Sequence, residues 1–389
     1  MTDRRVYLDH AATTHLLPAA AQAWAAAAVQ VGNPSSLHTS GRQARRLVEE
    51  SRESIADDLG IRPSEVVSTA GGTEADNLAI KGFAWRAGPG RRILASRIEH
   101  HAVLDALLWL EEQGNPIDWI PVDEVGRVDL DFVRDHLDPD VALCTVMWAN
   151  NEVGTVQPIA EIAAACMEAD VPFHSDAVQA LGALPLDLRL PGLTSVALSG
   201  HKIGAPVGVG ALILNRDADL VPLQHGGGQE REVRSGTVDA ASIAAFAVAV
   251  HQAVEQQADA AAHMAALRDR LIEGILAIAP DAAVNGDRDD RLPGNIHFTF
   301  PGCEGDALLM LLDAAGVECS TGSACTSGIP EPSHVLLAMG VDSRTARGSL
   351  RFSLSRTSTD GDVDRALEVL PSVIERAARA SSPRLRSRA

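Results

Sequence analysis

The sequence predicts an α/β fold: a large domain with a mostly parallel sheet flanked by helices, plus a smaller α+β domain towards the C-terminus. Three observations lead there. The chain has 389 residues, too many for one small domain. Between Val66 and Leu198, short apolar runs alternate with helical stretches, the pattern of a sheet wrapped by crossover helices. Beyond Gly236 the pattern changes to long helices separated by isolated strands.

Each element has a local reason. An alanine-rich helix follows Tyr7-Leu8-Asp9 and ends near Val31. Gly32-Asn33-Pro34-Ser35-Ser36 is a loop by composition. Gly41 to Leu59 reads as a helix with charged faces. Strands are expected over Val66–Ser68, Arg92–Ser96, Ile117–Val122, Val141–Trp148, Val171–Ser175 and Leu193–Leu198. Helices are expected between them, over Glu74–Trp85, His101–Glu112, Leu130–Leu137 and Ile159–Ala169. In His101–Glu112, Val103, Leu104, Leu107 and Leu108 fall at helical spacing. The second region reads as helical from Ala240 to Ile278, a strand Asn295–Phe300, a helix Asp306–Ala315, a strand Ser349–Leu354 and a helix Asp362–Arg379. The expected division is 16–250 for the large domain, with 1–15 and 251–389 forming the small one.

Composition narrows the function. Hydrophobic residues are 46% and charged residues 22%, ordinary for a globular protein. The formal net charge of −19 lacks the basic footprint that a nucleic-acid backbone needs. Met1-Thr2-Asp3-Arg4-Arg5 lacks the apolar run of a signal peptide, and Ala240–Val250 is too short to span a bilayer. A cytoplasmic protein with no membrane partner is the expectation. The five cysteines form no Cys-x-x-Cys pair, which suits a reducing compartment and argues against both a disulfide framework and a structural zinc; no metal is expected.

Lys202 is the first chemical signal. The run Leu193–Leu198 stops at Gly200, and Gly210–Leu214 returns to an apolar strand. Lys202 therefore sits in a tight turn between two buried strands. Partial desolvation there lowers a lysine's pKa and makes its amine a nucleophile for carbonyls. Alone, it reads better as a surface lysine in a hairpin. In an open parallel sheet, ligands bind beyond the carboxyl ends of the strands. Polar residues follow strand after strand: Gly71-Gly72-Thr73-Glu74, Glu99-His100, Asn150-Asn151, Asp176 with Gln179, and Ser199 with His201 and Lys202.

This set suits pyridoxal 5′-phosphate. Lys202 forms the Schiff base, and Asp176 pairs with the pyridine nitrogen. His100 stacks on the ring; Asn151 and Gln179 reach its hydroxyl; Gly72, Thr73, Ser199 and His201 hold the phosphate at a helix N-terminus. Each residue alone has a plainer structural reading, as a cap, a turn residue or a satisfied histidine. Their joint presence is the argument.

Several runs resemble cysteine desulfurases. They are Tyr7-Leu8-Asp9-His10-Ala11-Ala12-Thr13-Thr14, Gly71-Gly72-Thr73-Glu74-Ala75-Asp76-Asn77, Glu99-His100, Asn150-Asn151-Glu152-Val153-Gly154, Ser199-Gly200-His201-Lys202, His225-Gly226-Gly227-Gly228-Gln229-Glu230-Arg231 and Arg234-Ser235-Gly236-Thr237. The style is that of the NifS/IscS branch, particularly its actinobacterial members. The resemblance implies a fold-type I, class V aminotransferase fold, a homodimer and conversion of L-cysteine to L-alanine. It also implies that Thr237 reaches the phosphate of the neighbouring subunit's cofactor.

Cys325 separates such an enzyme from other pyridoxal enzymes. It lies in Cys319-Ser320-Thr321-Gly322-Ser323-Ala324-Cys325-Thr326-Ser327-Gly328, whose small polar residues predict an exposed loop. Cys144 and Cys166, on a strand and a helix, read as buried, and Cys319 ranks second as a nucleophile. Arg351 matches the family's arginine for the substrate carboxylate, and its planar fork suits that group. Asn33 is a candidate to assist it, and Asn151 lies in the same substrate region. Lys202 and His100 are the expected proton carriers. A sulfur-acceptor protein, either an iron–sulfur scaffold or a tRNA-thiolation enzyme, is the expected partner. The alternatives are a selenocysteine lyase or a class V aminotransferase using the same cofactor, and a binding protein that kept only the scaffold.

Overall fold

The computed structural model describes residues 5–322 and 332–381. Its centre is a seven-stranded sheet. The spatial order is Val66–Thr69, Gly210–Leu214, Leu193–Ser199, Phe173–Asp176, Val141–Thr145, Arg92–Ser96 and Ile117–Ile120. Only Gly210–Leu214 runs against its neighbours. The sheet is mostly parallel, as its alternating sequence predicted.

Helices bury both faces, so the strands are apolar on both sides. Val196, Leu198 and Ile213 pack into one core with Val48, Ile55, Ile162 and Phe246. Ala197, Leu212 and Leu214 face the other, with Leu78, Phe83, Val103 and Leu107. Successive strand residues thus point to opposite layers.

Boundaries differ from the sequence reading in explicable ways. The first helix is Pro18–Ala28, with Pro18 in its first turn, where proline's missing N–H costs nothing. The helix Gly72–Ala87 begins two residues before its expected start. The helical region after Gly236 is two helices, Ala240–Glu255 and Gln257–Ile278, broken at Gln256.

A second apolar core gathers Val6 and Leu8 with Leu271, Ile275, Phe298, Leu312, Phe352 and Leu370. It surrounds a three-stranded antiparallel sheet ordered Ser349–Ser353, Asn295–Thr299 and Ala283–Val284. Val6–Tyr7 pairs in parallel with Val317–Glu318. The start of the chain therefore folds with its end, and residues 9–14 run from that core towards Lys202. Among the described residues, no helix is long and apolar enough to cross a membrane.

Candidate active site

A cavity of about 750 Å³ opens at the carboxyl ends of the parallel strands. Gly72, Thr73, His100, Asn151, Asp176, Gln179, Ser199, His201 and Lys202 all line it. The structure brings these nine sequence-predicted residues into one place.

Lys202 closes the short 3₁₀ turn Gly200–Lys202 that follows the Leu193–Ser199 strand. Gly200 makes this turn possible, because a Cβ there would come within 2.9 Å of the Ala205 Cβ and the Val209 carbonyl oxygen. The amine donates to the Ala11 carbonyl at 2.6 Å and the Ala12 carbonyl at 2.8 Å. Burial, assisted by the nearby Arg351 charge, lowers its pKa to about 8 against the pull of Asp176 and Asp9. A useful fraction of free amine therefore exists near neutral pH.

Asp176 ends the Phe173–Asp176 strand at the floor of the cavity. Burial raises its carboxyl to about 6, countered by the Val178 N–H, which donates to it at 2.8 Å, and by Lys202. Two more buried acids lie close to it: Asp76, which also lines the cavity, and Glu99. Burial pushes Asp76 well up, helped by Asp176 and Glu99, and moves Glu99 to about 8. Asp76 lies 3.2 Å from His174 Nε2, and His174 Nδ1 lies 2.9 Å from the Ser195 hydroxyl.

His100 caps the helix His101–Glu112, its Nδ1 accepting from the Ala102 N–H at 3.0 Å. Nδ1 is thus the acceptor, and a neutral ring carries its proton on Nε2. The residue is exposed towards the cavity, and the protein packed behind the ring lowers its pKa to about 4, with Lys202 and two neighbouring histidines adding to the effect. One side of the ring remains open to the cavity.

The helix Gly72–Ala87 points its N-terminus into the same cavity with no side-chain cap. Its first N–H groups are free to meet an anion. A Cβ at Gly72 would come within 2.7 Å of the Val178 side chain, so glycine permits this close approach. Glu74 fixes the approach loop: it accepts the Ala70 N–H at 2.6 Å and binds Arg234 at 2.6 Å. Arg52 grips Glu230 through both guanidinium nitrogens at 2.9 and 3.0 Å. These two pairs hold the segment leading to Thr237 against the cavity's rim. Thr237 itself is exposed and lines neither this cavity nor its neighbour.

Arg351 sits behind Lys202 on the Ser349–Ser353 strand, buried. It donates to the Asn151 carbonyl at 2.8 Å and to Asp9 Oδ1 at 2.9 Å, and among the described residues its Nε has no hydrogen-bond partner. Asn33 is not brought to the cavity: it is exposed, and its side chain accepts the Ser35 N–H at 2.9 Å within its own turn. Cys325 lies outside the described residues. Its flanks are described. Ser320 exchanges backbone hydrogen bonds with Arg351 at 2.7 and 3.0 Å, and Ser333 donates to Glu152. Cys319 is buried, and burial together with Asp9 pushes its thiol far up, away from thiolate. Cys144 and Cys166 are also buried.

A second cavity, about 210 Å³, adjoins the first through Val178, Gln179 and Lys202. It is lined by His10, His15 and Arg356 among mainly apolar groups.

The strip of residues 7–14 was missed as a working part of the site. Besides holding Lys202, Ala11 accepts from the Gln179 side chain at 2.9 Å, and Thr13 lies 3.2 Å from His201 Nδ1. The sequence signal was Tyr7-Leu8-Asp9-His10-Ala11-Ala12-Thr13-Thr14, which carries no helical or strand period and so predicts no contacts.

The profile of the family described as aminotransferase class-V matches residues 6–366. The chain belongs to the class V aminotransferase family. An IscS-like cysteine desulfurase of Mycobacterium tuberculosis is 58% identical, over 96% of this chain and 98% of its own. A cysteine desulfurase IscS of Methanosarcina thermophila is 42% identical, over 96% and 93%. The solved structure of a NifS-like protein, 35% identical, superposes with a TM-score of 0.88 over 95% of this chain and 98% of that one. This class V chain therefore falls in the IscS/NifS-like branch, whose cofactor is pyridoxal 5′-phosphate.

The cavity fits that cofactor on its own evidence. An uncapped helix end beside Ser199 and His201 suits a phosphate. A buried carboxylate at the floor suits a protonated ring nitrogen, and a lysine of lowered pKa suits an aldehyde.

Proposed function

We propose that this chain is a pyridoxal-phosphate-dependent cysteine desulfurase that converts L-cysteine to L-alanine and keeps the sulfur as a persulfide on Cys325. The observation that carries the reading is the convergence of Lys202, Asp176, His100 and an open helix N-terminus on one cavity. When bound, the cofactor supplies an aldehyde and an electron-withdrawing ring that loosens the proton on the substrate's α-carbon.

The chain's own groups do the rest. Gly72, Thr73, Ser199 and His201 bind the phosphate. Asp176, low in dielectric and close to Lys202, holds a proton on the ring nitrogen. Asn151 and Gln179 orient the ring hydroxyl. Lys202, with a pKa of about 8, takes the α-carbon proton and returns one to the product. His100 is neutral near pH 7; from the cavity wall its ring would stack on the cofactor, and its Nε2 would exchange a proton with the substrate thiol. Arg351 receives the substrate carboxylate in a buried setting, where a guanidinium's fixed fork is worth most. Asn33 stays a substrate contact only if its turn is brought there by other chains or by motion.

The Cys325 thiolate attacks the substrate sulfur. An S–S bond forms, the carbon–sulfur bond breaks, and protons from the site complete alanine. No outside oxidant is needed, because the carbon is reduced as the sulfur is taken up. The flanks of Cys325 pair with the Arg351 strand and with Glu152, which supports a thiol delivered beside the bound substrate.

The division into domains 16–250 and 1–15 with 251–389 is proposed on the two separate apolar cores. The active unit is proposed to be a homodimer, with exposed Thr237 reaching a neighbour's phosphate. The sulfur acceptor is proposed to be an iron–sulfur scaffold or a tRNA-thiolation enzyme, in the cytoplasm.

Cys325→Ser tests the reading. Purified variant should keep the yellow lysine-bound cofactor yet lose sulfide release and the persulfide detected by mass spectrometry. Undiminished sulfide release, or alanine consumption with a keto acid in its place, would overturn it.

A further inference from the structure

Arg351 is buried with an incomplete set of partners. The Nε–Nη2 edge of a guanidinium takes a carboxylate through two parallel bonds. Here one Asp9 oxygen holds Nη2 at 2.9 Å, while Nε is buried with no hydrogen-bond partner among the described residues. Half of a carboxylate site is filled and half is waiting. The two side chains are also unequally placed: Asp9 is 21% exposed and Arg351 only 6%. Asp9 can turn towards water, and Arg351 cannot.

We propose that Asp9 is the resting counter-ion of Arg351, a carboxylate that the substrate's own carboxylate must displace, so that Asp9 sets the affinity for cysteine and for alanine. The inference rests on the cysteine desulfurase reading of this site. A buried arginine without a counter-charge is costly. Asp9 meets that cost while the site is free of substrate. Arrival of a carboxylate that engages both Nε and Nη2 exchanges one anion for another and leaves the net charge beside Lys202 unchanged. On product formation, Asp9 competes for Arg351 and helps alanine leave. Asp9 is a positioning residue in this account.

The exchange is coupled to the catalytic lysine by the backbone. Asp9 stands at the head of the strip whose Ala11 and Ala12 carbonyls hold Lys202 Nζ at 2.6 and 2.8 Å. The Ala12 N–H donates to the Asp9 carbonyl at 3.0 Å, and so does the Tyr7 hydroxyl. Movement of the Asp9 side chain pulls on a segment already tied at both ends.

The test compares L-alanine with L-alaninamide, which differ only in the carboxylate, on the holoenzyme. Binding is read from the cofactor's absorbance. Asp9→Asn should raise the ratio of alanine affinity to alaninamide affinity on the order of tenfold, and lower KM for L-cysteine in the same direction. Asp9→Glu, whose longer carboxylate reaches the free Nε as well, should move both the other way. General damage to the fold would weaken both ligands and leave the ratio where it is. A ratio unmoved in both variants, or moved in the reverse directions, overturns the inference. A wild-type enzyme that neither binds alanine nor turns over cysteine overturns the functional reading and this inference with it. A wild type that does both, beside unmoved ratios, overturns this inference alone.

Discussion

The surroundings of Lys202, which lines the cavity, and those of buried Arg351, which does not, are built differently. On the first, polar residues stand at the ends of neighbouring parallel strands, each carried by the strand before it. Asp176, Lys202 and His100 are fixed by the sheet, and their shifted pKa values come first from burial in it. On the second side, the key pair joins residues 342 positions apart. Arg351 and Asp9 meet because the start of the chain folds into the core made by its end. We read the contrast as two kinds of work: the sheet side is proposed to fix the chemistry, and the joined side to choose what is admitted.

Removing the lysine separates these roles most sharply. Lys202→Ala should lower the rate of alanine formation about 10³-fold or more, since one group supplies both nucleophile and proton carrier. The yellow lysine-bound cofactor should be absent, while binding of the free phosphate ester persists through the helix end. A variant that retains near-normal turnover would mean that the sheet side does not fix the chemistry.

Arg351→Lys addresses the other side with a smaller effect. The positive charge remains to face Asp9, but the fork is lost. KM for L-cysteine should rise roughly 10- to 100-fold, the scale of one or two hydrogen bonds to a charged group, with a lesser fall in kcat. Steady-state kinetics give the split. A fall in kcat at constant KM would place Arg351 with the chemistry and erase the distinction.

The same contrast explains what was legible in the sequence. Strand-end residues could be found because each follows an apolar run, and one rule about open sheets places them all together. Lys202, Asp176 and Gln179 needed only that rule. Asp9 could not be found this way. It follows a two-residue strand, Val6–Tyr7, with no periodicity of its own, and its partner depends on tertiary packing. Arg351 was named through resemblance, and the chemistry of its fork explained the choice; nothing in its strand's apolar pattern says which carboxylate it faces. Asn33 illustrates the reverse case. A polar residue in a Gly-Asn-Pro loop looked available for substrate, yet its side chain is used by the turn that such a sequence favours. The one antiparallel strand of the seven-stranded sheet, Gly210–Leu214, was visible only as a short return after Lys202, too short for a crossover helix.

The smallest effect concerns how the sheet side tolerates its buried acids. The joined side pairs its acid with Arg351, whereas Glu99 is buried beside Asp176, makes no ion pair among the described residues, and is met by the Met147 N–H, donated at 2.7 Å, and by the Ser96 side chain. Burial pushes its carboxyl from 4.5 up to about 8. Folded, Glu99 therefore keeps a proton that the unfolded chain releases at its ordinary pKa. The stability linked to that proton is complete below pH 4.5 and is lost as pH rises towards 8. Glutamine has the same shape, accepts the Met147 N–H and has no proton to lose. The melting temperature of Glu99→Gln, relative to wild type, should be about 2–4 °C higher at pH 8 than at pH 5. Asp176 and Asp76 are present in both proteins; because Glu99 raises Asp76 and is itself raised by Asp176, the difference reads the interacting set that Glu99 belongs to and not Glu99 alone. Melting curves of both holoenzymes across this range provide the measurement. A difference that stays constant with pH would mean that Glu99 is ionised in the folded protein, and that the sheet side balances its acids with charge, as the Arg351 side does.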